Sequence, residues 1–207
     1  MKEFNTASQL PFGAVFAASG RMGGTGCGVP PKYAITQLDP SNVSTYRRSR
    51  PDFKQKTTNV LLKTYVEVME ELKRRGAIRS YNNPVSDYAE SLVSRTLDLE
   101  LSGGSNKGFD ARDRRGIRYQ IKARRLDGKS SRQLGVFRNL GKNPFDFAIV
   151  VLFNHEFQPA EVYRIPIEAI KKHGRFSRHV NGWIVQAAPP LTIDVRVRNI
   201  TGRFIEK

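Results

Sequence analysis

The run FDFAIVVLF at positions 145–153 constrains the fold of this chain more than any other stretch. Apart from Asp146 it is continuously apolar, which is typical of a strand that is covered on both faces of its sheet. A sheet packed between two layers is therefore expected. With 207 residues, the chain is long enough to build one full-sized domain around such a strand.

The stretch GIRYQIKARRL at 116–126 predicts a second strand, one whose two faces differ. Apolar residues occupy one alternating set of positions and polar or basic residues occupy the other, which is the period-two pattern of a strand with one face in a core. The polar set comprises Arg118, Gln120, Lys122 and Arg124. This face is either solvated or part of a functional site, and the alternation by itself leaves both readings open.

The remaining elements follow from periodicity and capping signals. A helix is expected at about 56–75, and a second helix should begin at Asn83, a good N-cap that is followed by Pro84. Further strands are expected at about 99–101, 108–112 and 160–167, a helix at 130–140, a short helix ending near Ile170, and a hairpin at 180–183. This order indicates an α/β (α+β) fold with a mixed sheet flanked by helices.

The composition divides the chain into two regions. Residues 1–50 are rich in small and polar residues without periodicity, which predicts a flexible or loosely ordered basic arm ending in YRRSR. Residues 51–207 are expected to form a single domain with its core at about 80–175. The only cysteine, Cys27, excludes an internal disulfide and fits a reducing, cytoplasmic setting.

The net charge of +16 points to a polyanionic partner. Such an excess opposes compaction by self-repulsion but favours binding to nucleic acid, where condensed counterions are released. Residues 101–145 carry twelve Lys or Arg against three Asp. The sequence contains no apolar run that approaches a membrane-spanning length. The candidates for contacts with nucleic acid are Arg118, Arg124, Arg125, Lys129, Ser131, Arg132 and Gln133.

Four residues form the candidate catalytic set. Asp110 lies just before the DRRG turn, and strand pairing around this turn would bring it close to Gln120 and Lys122 on the next strand. Glu90 lies at the rim of the apolar face of the second helix, where Asp87 could take its place. Mg²⁺ prefers oxygen ligands from one or two carboxylates together with water and phosphate, and a nearby lysine can orient or deprotonate that water.

These residues carry a resemblance to a known group. Glu90, Asp110 in GFD and the Gln120-Ile121-Lys122 triplet resemble the PD-(D/E)xK nuclease superfamily, whose core is restriction-endonuclease-like. NNPVSDYAESLV, KGFDARD, YQIKARR, SSRQL and HVNGW are similar to a family of uncharacterised bacterial proteins with such a core, over about 74–185. In this chain Phe109 replaces the usual proline, and Gln120 replaces the second acid.

The resemblance implies a Mg²⁺-dependent DNA endonuclease, with Mn²⁺ as a substitute and without a nucleotide cofactor. Asp110, Gln120 and Glu90 would be the metal ligands, and Lys122 would sit beside the attacking water. Double-strand cleavage would suggest a homodimer. Two alternatives stay open: a nucleic-acid-binding module that keeps the fold but does not cut, motivated by Gln120, and an RNA-associated basic protein.

Overall fold

A six-stranded mixed sheet organises the part of the chain that the structure describes. The structure is a computed structural model, and it describes residues 52–103, 108–128 and 131–205. All of these belong to one compact unit, Asp52–Lys207. The predicted arm over 1–50 lies outside the described residues.

The helices begin where the capping signals place them. Helix α1 spans Thr58–Arg74, and helix α2 spans Pro84–Leu97 after the N-cap Asn83, whose side-chain oxygen accepts a hydrogen bond from the Val85 N–H. Helix α3 spans Ile167–His173. The predictions of two longer helices and of a short helix near Ile170 are therefore confirmed.

The sheet has the strand order β1-β2-β3-β4-β5-β8. Only the central pair β3–β4 is parallel, and the other neighbours are antiparallel. A separate two-stranded sheet is formed by β6 and β7. The strand bounds are β1 Glu100–Leu101, β2 Ala111–Arg112, β3 Arg118–Arg125, β4 Phe147–Phe153, β5 Pro159–Pro166, β6 Arg175–Ser177, β7 Gly182–Ile184 and β8 Arg198–Asn199.

Strand β4 is covered on both faces, as its apolar sequence predicts. Ile149 and Val151 pack on the side of α2, together with Tyr119 and Ile121 of β3. Val150 and its neighbours on the opposite face pack against α3 and the segment that connects β3 to β4. The apolar set of β3 therefore faces the α2 layer, and the polar set lies on the other side of the sheet.

The helix predicted at 130–140 is wrong. Among the described residues of this range, only Leu140 enters a helical turn, the 3₁₀ turn Leu140–Lys142. The backbone instead pairs with β7 and the residues after it, since Phe137 N–H donates to Trp183 O at 3.0 Å and Leu134 N–H donates to Val185 O at 2.9 Å. The apolar spacing of Leu134, Phe137 and Leu140 resembles a helical face, but these side chains fill the core from an extended crossover.

Two hairpins follow their sequence signals. Strands β2 and β3 are joined through the DRRG turn, in which Gly116 N–H donates to Asp113 O at 3.0 Å, although β2 covers only Ala111–Arg112 of the expected 108–112. Asn181, with φ 45°, precedes Gly182 in the connection between β6 and β7. Within the described ranges, no helix has the length and apolarity needed to cross a membrane.

Replacing Gly182 by alanine is expected to lower the free energy of unfolding by about 1–3 kcal/mol. A Cβ at this position would lie 2.8 Å from Phe137 O and would clash with the Val136 side chain, both on the paired crossover segment. The matched control is Gly202→Ala, where a Cβ would meet no atom within 4 Å. Urea denaturation measures both changes, and an equal effect of the two would contradict this packing.

Candidate functional site

The β2–β3 hairpin brings Asp110 beside Gln120. Asp110 N–H donates to Tyr119 O at 2.8 Å, which places Asp110 one residue before the register pair Ala111 and Tyr119. Its Oδ2 then accepts hydrogen bonds from the Ile121 N–H at 2.6 Å and from Gln120 Nε2. The predicted approach of these two side chains is therefore present in the structure.

Lys122 lies on the same strand face as Gln120, two residues further along β3. Its ammonium nitrogen lies 5.6 Å from the centre of the Phe137 ring on the crossover segment. Burial lowers the pKa of Lys122 and the nearby Arg138 lowers it further, while the negative charge of Asp110 acts in the opposite direction. The amine is thus shifted towards its neutral form, in which it can accept a proton.

The pKa of Asp110 is shifted in the complementary direction. Burial raises the pKa of its carboxyl, although the Ile121 N–H, Lys122, Arg79 and the Gln120 amide each favour the charged form. Asp110 and Lys122 therefore share one face of the hairpin and influence each other electrostatically. Burial shifts the pKa of each group towards its neutral form. Such perturbed groups are concentrated at functional sites in proteins.

Glu90 reaches this region from α2 and is bound to an arginine. Its side chain is 15% exposed, and Arg79 Nη2 donates to its Oε2. Arg79 also lies close enough to Asp110 to lower the pKa of that carboxyl. Sequence reasoning missed Arg79 because it lies in the loop before α2, outside any periodic pattern or motif.

Asp87, the alternative to Glu90, has a structural role in the same loop. Its Oδ2 accepts hydrogen bonds from the backbone N–H groups of Arg79 at 2.9 Å and Ser80 at 2.7 Å. Although burial opposes it, these bonds hold the pKa of Asp87 below its ordinary value. Asp87 thereby holds the loop that carries Arg79 against the first turn of α2.

Two of the predicted phosphate contacts are bound to carboxylates of the protein. Arg118 forms an ion pair with Asp146 at 3.0 Å. Arg132 forms an ion pair with Glu161 and also donates from Nε to Ala187 O at 2.6 Å. Three further arginines of the basic region are likewise paired with acids: Arg112 with Glu100, Arg114 with Asp98, and Arg115 with Asp113.

The other predicted contacts lie further along β3 and on the crossover. Arg124 Nη1 donates to Gln133 O at 2.7 Å, and the Arg125 guanidinium lies over the Phe157 ring at 5.0 Å. Ser131 Oγ accepts a hydrogen bond from Gln133 N–H at 3.1 Å, so both residues contribute to the local turn. Lys129 lies outside the described residues.

The donor set offers one carboxylate and one amide at the hairpin, with Glu90 nearby on α2. Among the described residues there is no group of three or more His, Cys, Asp or Glu side chains that could hold a metal ion. One carboxylate supplemented by an amide, water and phosphate oxygens remains a donor set that Mg²⁺ accepts.

Comparison with known proteins adds no relative, since no family model matches the chain and no curated protein matches it significantly. Its function must therefore be inferred from the geometry of the described residues.

Asp110→Asn is expected to raise the free energy of unfolding at pH 7, and Asp87→Asn is expected to lower it by about 1 kcal/mol. A carboxyl with a raised folded-state pKa binds its proton more tightly in the folded state, so it lowers stability at pH values above that pKa. Asp87, whose pKa is lowered, contributes stability that is lost as the pH falls through its folded-state value.

Urea denaturation of both variants in metal-free buffer, at pH 7 and at pH 3, measures the two effects. The amide oxygen of asparagine can still accept the hydrogen bonds of Ile121 and Gln120, which makes the comparison one of charge. Loss of stability in Asp110→Asn at pH 7 would show that this carboxylate stabilises the fold and would contradict its raised pKa.

Proposed function

We propose that this protein is a metal-dependent DNA endonuclease of the PD-(D/E)xK type. The observation that carries the proposal is the convergence of Asp110, Gln120 and Lys122 on one face of the β2–β3 hairpin, with burial raising the pKa of the acid and lowering that of the amine. Solvated strand residues would show neither the burial nor the mutual electrostatic influence.

The strand arrangement supports a restriction-endonuclease-like core. Helix α2 precedes the antiparallel strands β1, β2 and β3, and β4 then adds in parallel to β3. The described residues of the crossover from β3 to β4 do not form the α-helix that the resemblance implies. The crossover nevertheless packs on the same sheet face with Leu134, Phe137 and Leu140, so it replaces that helix as the covering layer.

Asp110 and Gln120 would hold Mg²⁺, or Mn²⁺ in its place, with Glu90 as an auxiliary acid. A metal held there would lower the pKa of a water molecule and would offset negative charge on the phosphate in the transition state. The Gln120 amide stabilises the Asp110 carboxylate in advance by donating a hydrogen bond to it. A second carboxylate at this position would repel Asp110 until a cation was present.

Lys122 supplies the proton chemistry. In its neutral form the amine would take a proton from the attacking water, and in its charged form it would stabilise negative charge on the phosphate. Arg79, held by Glu90, places a second cation next to the carboxylate, where a phosphate would bind.

DNA is the proposed partner, on the basis of the net charge of +16 and the arginines at the end of β3. The single cysteine favours action in the reducing cytoplasm. Cleavage of both strands of a duplex would need two such sites, which a homodimer would supply.

One observation favours a second function, a nucleic-acid-binding module that does not cut. Gln120 stands where the resemblance implies an acid. Of the two proposed carboxylate ligands, Glu90 is engaged by the Arg79 guanidinium, and Asp110 accepts its hydrogen bonds from the Gln120 amide and the Ile121 N–H. A module of this kind would bind DNA through the same arginines and would be indifferent to Mg²⁺.

Lys122→Met is expected to reduce Mg²⁺-dependent cleavage of plasmid and single-stranded DNA by about 10²-fold or more. Methionine keeps the apolar stem that packs near Gly135 and Phe137 but removes the titratable amine. Gel assays with and without Mg²⁺ measure cutting, and filter binding in EDTA checks that affinity for DNA is retained.

The matched control is Arg198→Met, a cation on the exposed edge strand β8, three strands away from β3. It should leave cleavage unchanged. Full activity of Lys122→Met would overturn the nuclease mechanism, and DNA binding without any cutting by the wild-type protein would favour the binding module.

Gln120→Glu is expected to strengthen the binding of Mn²⁺, because it adds a second carboxylate beside Asp110. In the absence of metal, the two like charges should raise the pKa of the pair and lower the melting temperature. Isothermal titration calorimetry and thermal denaturation with and without Mn²⁺ measure both effects. An unchanged affinity for Mn²⁺ would argue that Asp110 is not a metal ligand.

A further inference from the structure

Helix α1 carries an apolar surface that the described part of the chain does not cover. Met69 is the only buried residue of this helix. Six of the twelve large hydrophobic residues that are exposed in the described ranges lie on α1. We refer to these six as the α1 patch. They are Val60, Leu61, Leu62, Tyr65, Val66 and Val68. Exposed apolar surface that is concentrated in this way marks a site of contact with another protein surface.

The packing of α1 on the domain is incomplete even on the side of Met69. An open cavity of about 430 Å³ lies between α1 and α2, and Leu72, Ile78 and Tyr88 are among the apolar and aromatic residues that line it. A helix in a protein gains most of its stability by burying its apolar face. The domain buries only part of this face, so α1 has apolar surface to spare for a partner.

The area of the α1 patch fits a contact between two copies of the chain. Its residues are 37–60% exposed, which leaves roughly 500 Å² open on each copy, towards the upper end of what a monomer leaves uncovered. Two paired patches would remove about 1,000 Å² from water, and the polar residues around them would bring the total close to the 1,200–2,000 Å² of specific interfaces. The apolar part alone therefore approaches what a stable dimer needs.

The charge of α1 favours a second copy over a polyanion as the occupant. The helix has a net charge of zero, whereas the whole chain carries +16. Two copies repel each other through their positive surfaces, and this repulsion is weakest where the charges of each copy balance. A nucleic acid gains little at such a surface, because no excess of cations releases its counterions. The balanced residues are Lys63, Lys73 and Arg74 against Glu67, Glu70 and Glu71.

The charges beside the patch are also self-complementary. Lys63 precedes Val66 by three residues and Glu70 follows it by four, so both border Val66 on the helix surface. Lys63 and Glu70 are two turns apart and lie on the same side of α1. In an antiparallel pair of helices that cross next to Val66, Lys63 of each copy faces Glu70 of the partner subunit. The two-fold axis then produces two ion pairs, whereas a parallel pair in register would place like charges opposite each other.

We propose that α1 is the contact surface of a homodimer, in which the α1 helices of two copies pack antiparallel across a two-fold axis next to Val66. Each copy contributes the same surface to this contact. The inference goes beyond the proposed nuclease activity and does not depend on it. If both hold, the same axis relates two copies of the hairpin site.

Sedimentation velocity of the full chain over a range of protein concentrations tests this proposal, in metal-free buffer after removal of nucleic acid. The wild-type protein should form a dimer that dissociates on dilution. Val66→Arg should raise the dissociation constant by about 10²-fold or more, because it places two like charges next to the axis. Leu62→Lys, at the most exposed residue of the patch, provides a second variant with the same expected result. Circular dichroism checks that both variants stay folded.

Val195→Arg is the matched control, since Val195 is exposed before β8 and outside the patch. It should leave the dimer unchanged. Exchange of charges tests the antiparallel arrangement. Lys63→Glu and Glu70→Lys should each raise the dissociation constant by roughly fivefold, and the double variant should restore it to within about twofold. Residues seven positions apart do not touch within one helix, so this recovery requires contact between copies.

A wild-type protein that stays monomeric up to its solubility limit would overturn the proposal, as would a dimer that Val66→Arg and Leu62→Lys leave intact. If Val66→Arg lowered the melting temperature of such a monomer, a segment of the same chain would be the cover instead. Association only in the presence of nucleic acid would also overturn it, and a double variant without recovery would overturn the antiparallel arrangement. Because the measurements use neither DNA nor metal, their outcome is independent of the cleavage assay.

Discussion

The register of β2 against β3 is the constraint on which the rest of the site depends. Asp110 lies one residue before the pair Ala111 and Tyr119, so its carboxylate lies against the Ile121 N–H and the Gln120 amide. A slip of one residue would turn the side chains of β3 to the opposite face of the sheet. Tyr119 and Ile121 resist such a slip, because they are buried against Ala89 and Val93 of α2. The apolar face of the strand thereby positions the polar face.

Burial then determines the electrostatics of that polar face. The carboxyl of Asp110 and the amine of Lys122 are both shifted towards neutrality, and each partly offsets the shift of the other. Gln120 partly offsets the cost of the Asp110 carboxylate without a cation, because its amide donates a hydrogen bond where a second acid would repel Asp110. The ion pair between Arg79 and Glu90 adds a cation from the loop before α2 and an acid from α2 itself. The proposed chemistry starts from this arrangement.

Much of the fold could be predicted, because its signals are local. Asn83 and Pro84 define the start of α2, the DRRG turn defines the hairpin, and the alternation of β3 separates its two faces. The segment 130–140 could not be predicted in this way. Its apolar residues recur at intervals of three, which suits a helix, yet its backbone groups find partners in residues 183–186, far away in the sequence. Non-local pairing of this kind leaves no periodic signal.

The amino-acid sequence by itself determined the alternating faces of β3, the covered strand β4, the positions of the helix caps and the strongly positive charge. Each of these depends on residues that are close together in the chain or on composition. Only the tertiary structure decided that Arg79 binds Glu90 beside Asp110, that Arg118 and Arg132 are bound to Asp146 and Glu161, and that Arg125 meets the Phe157 ring. The physical reason is that ion pairs and ring contacts join residues whose separation in the chain carries no information about their distance in space.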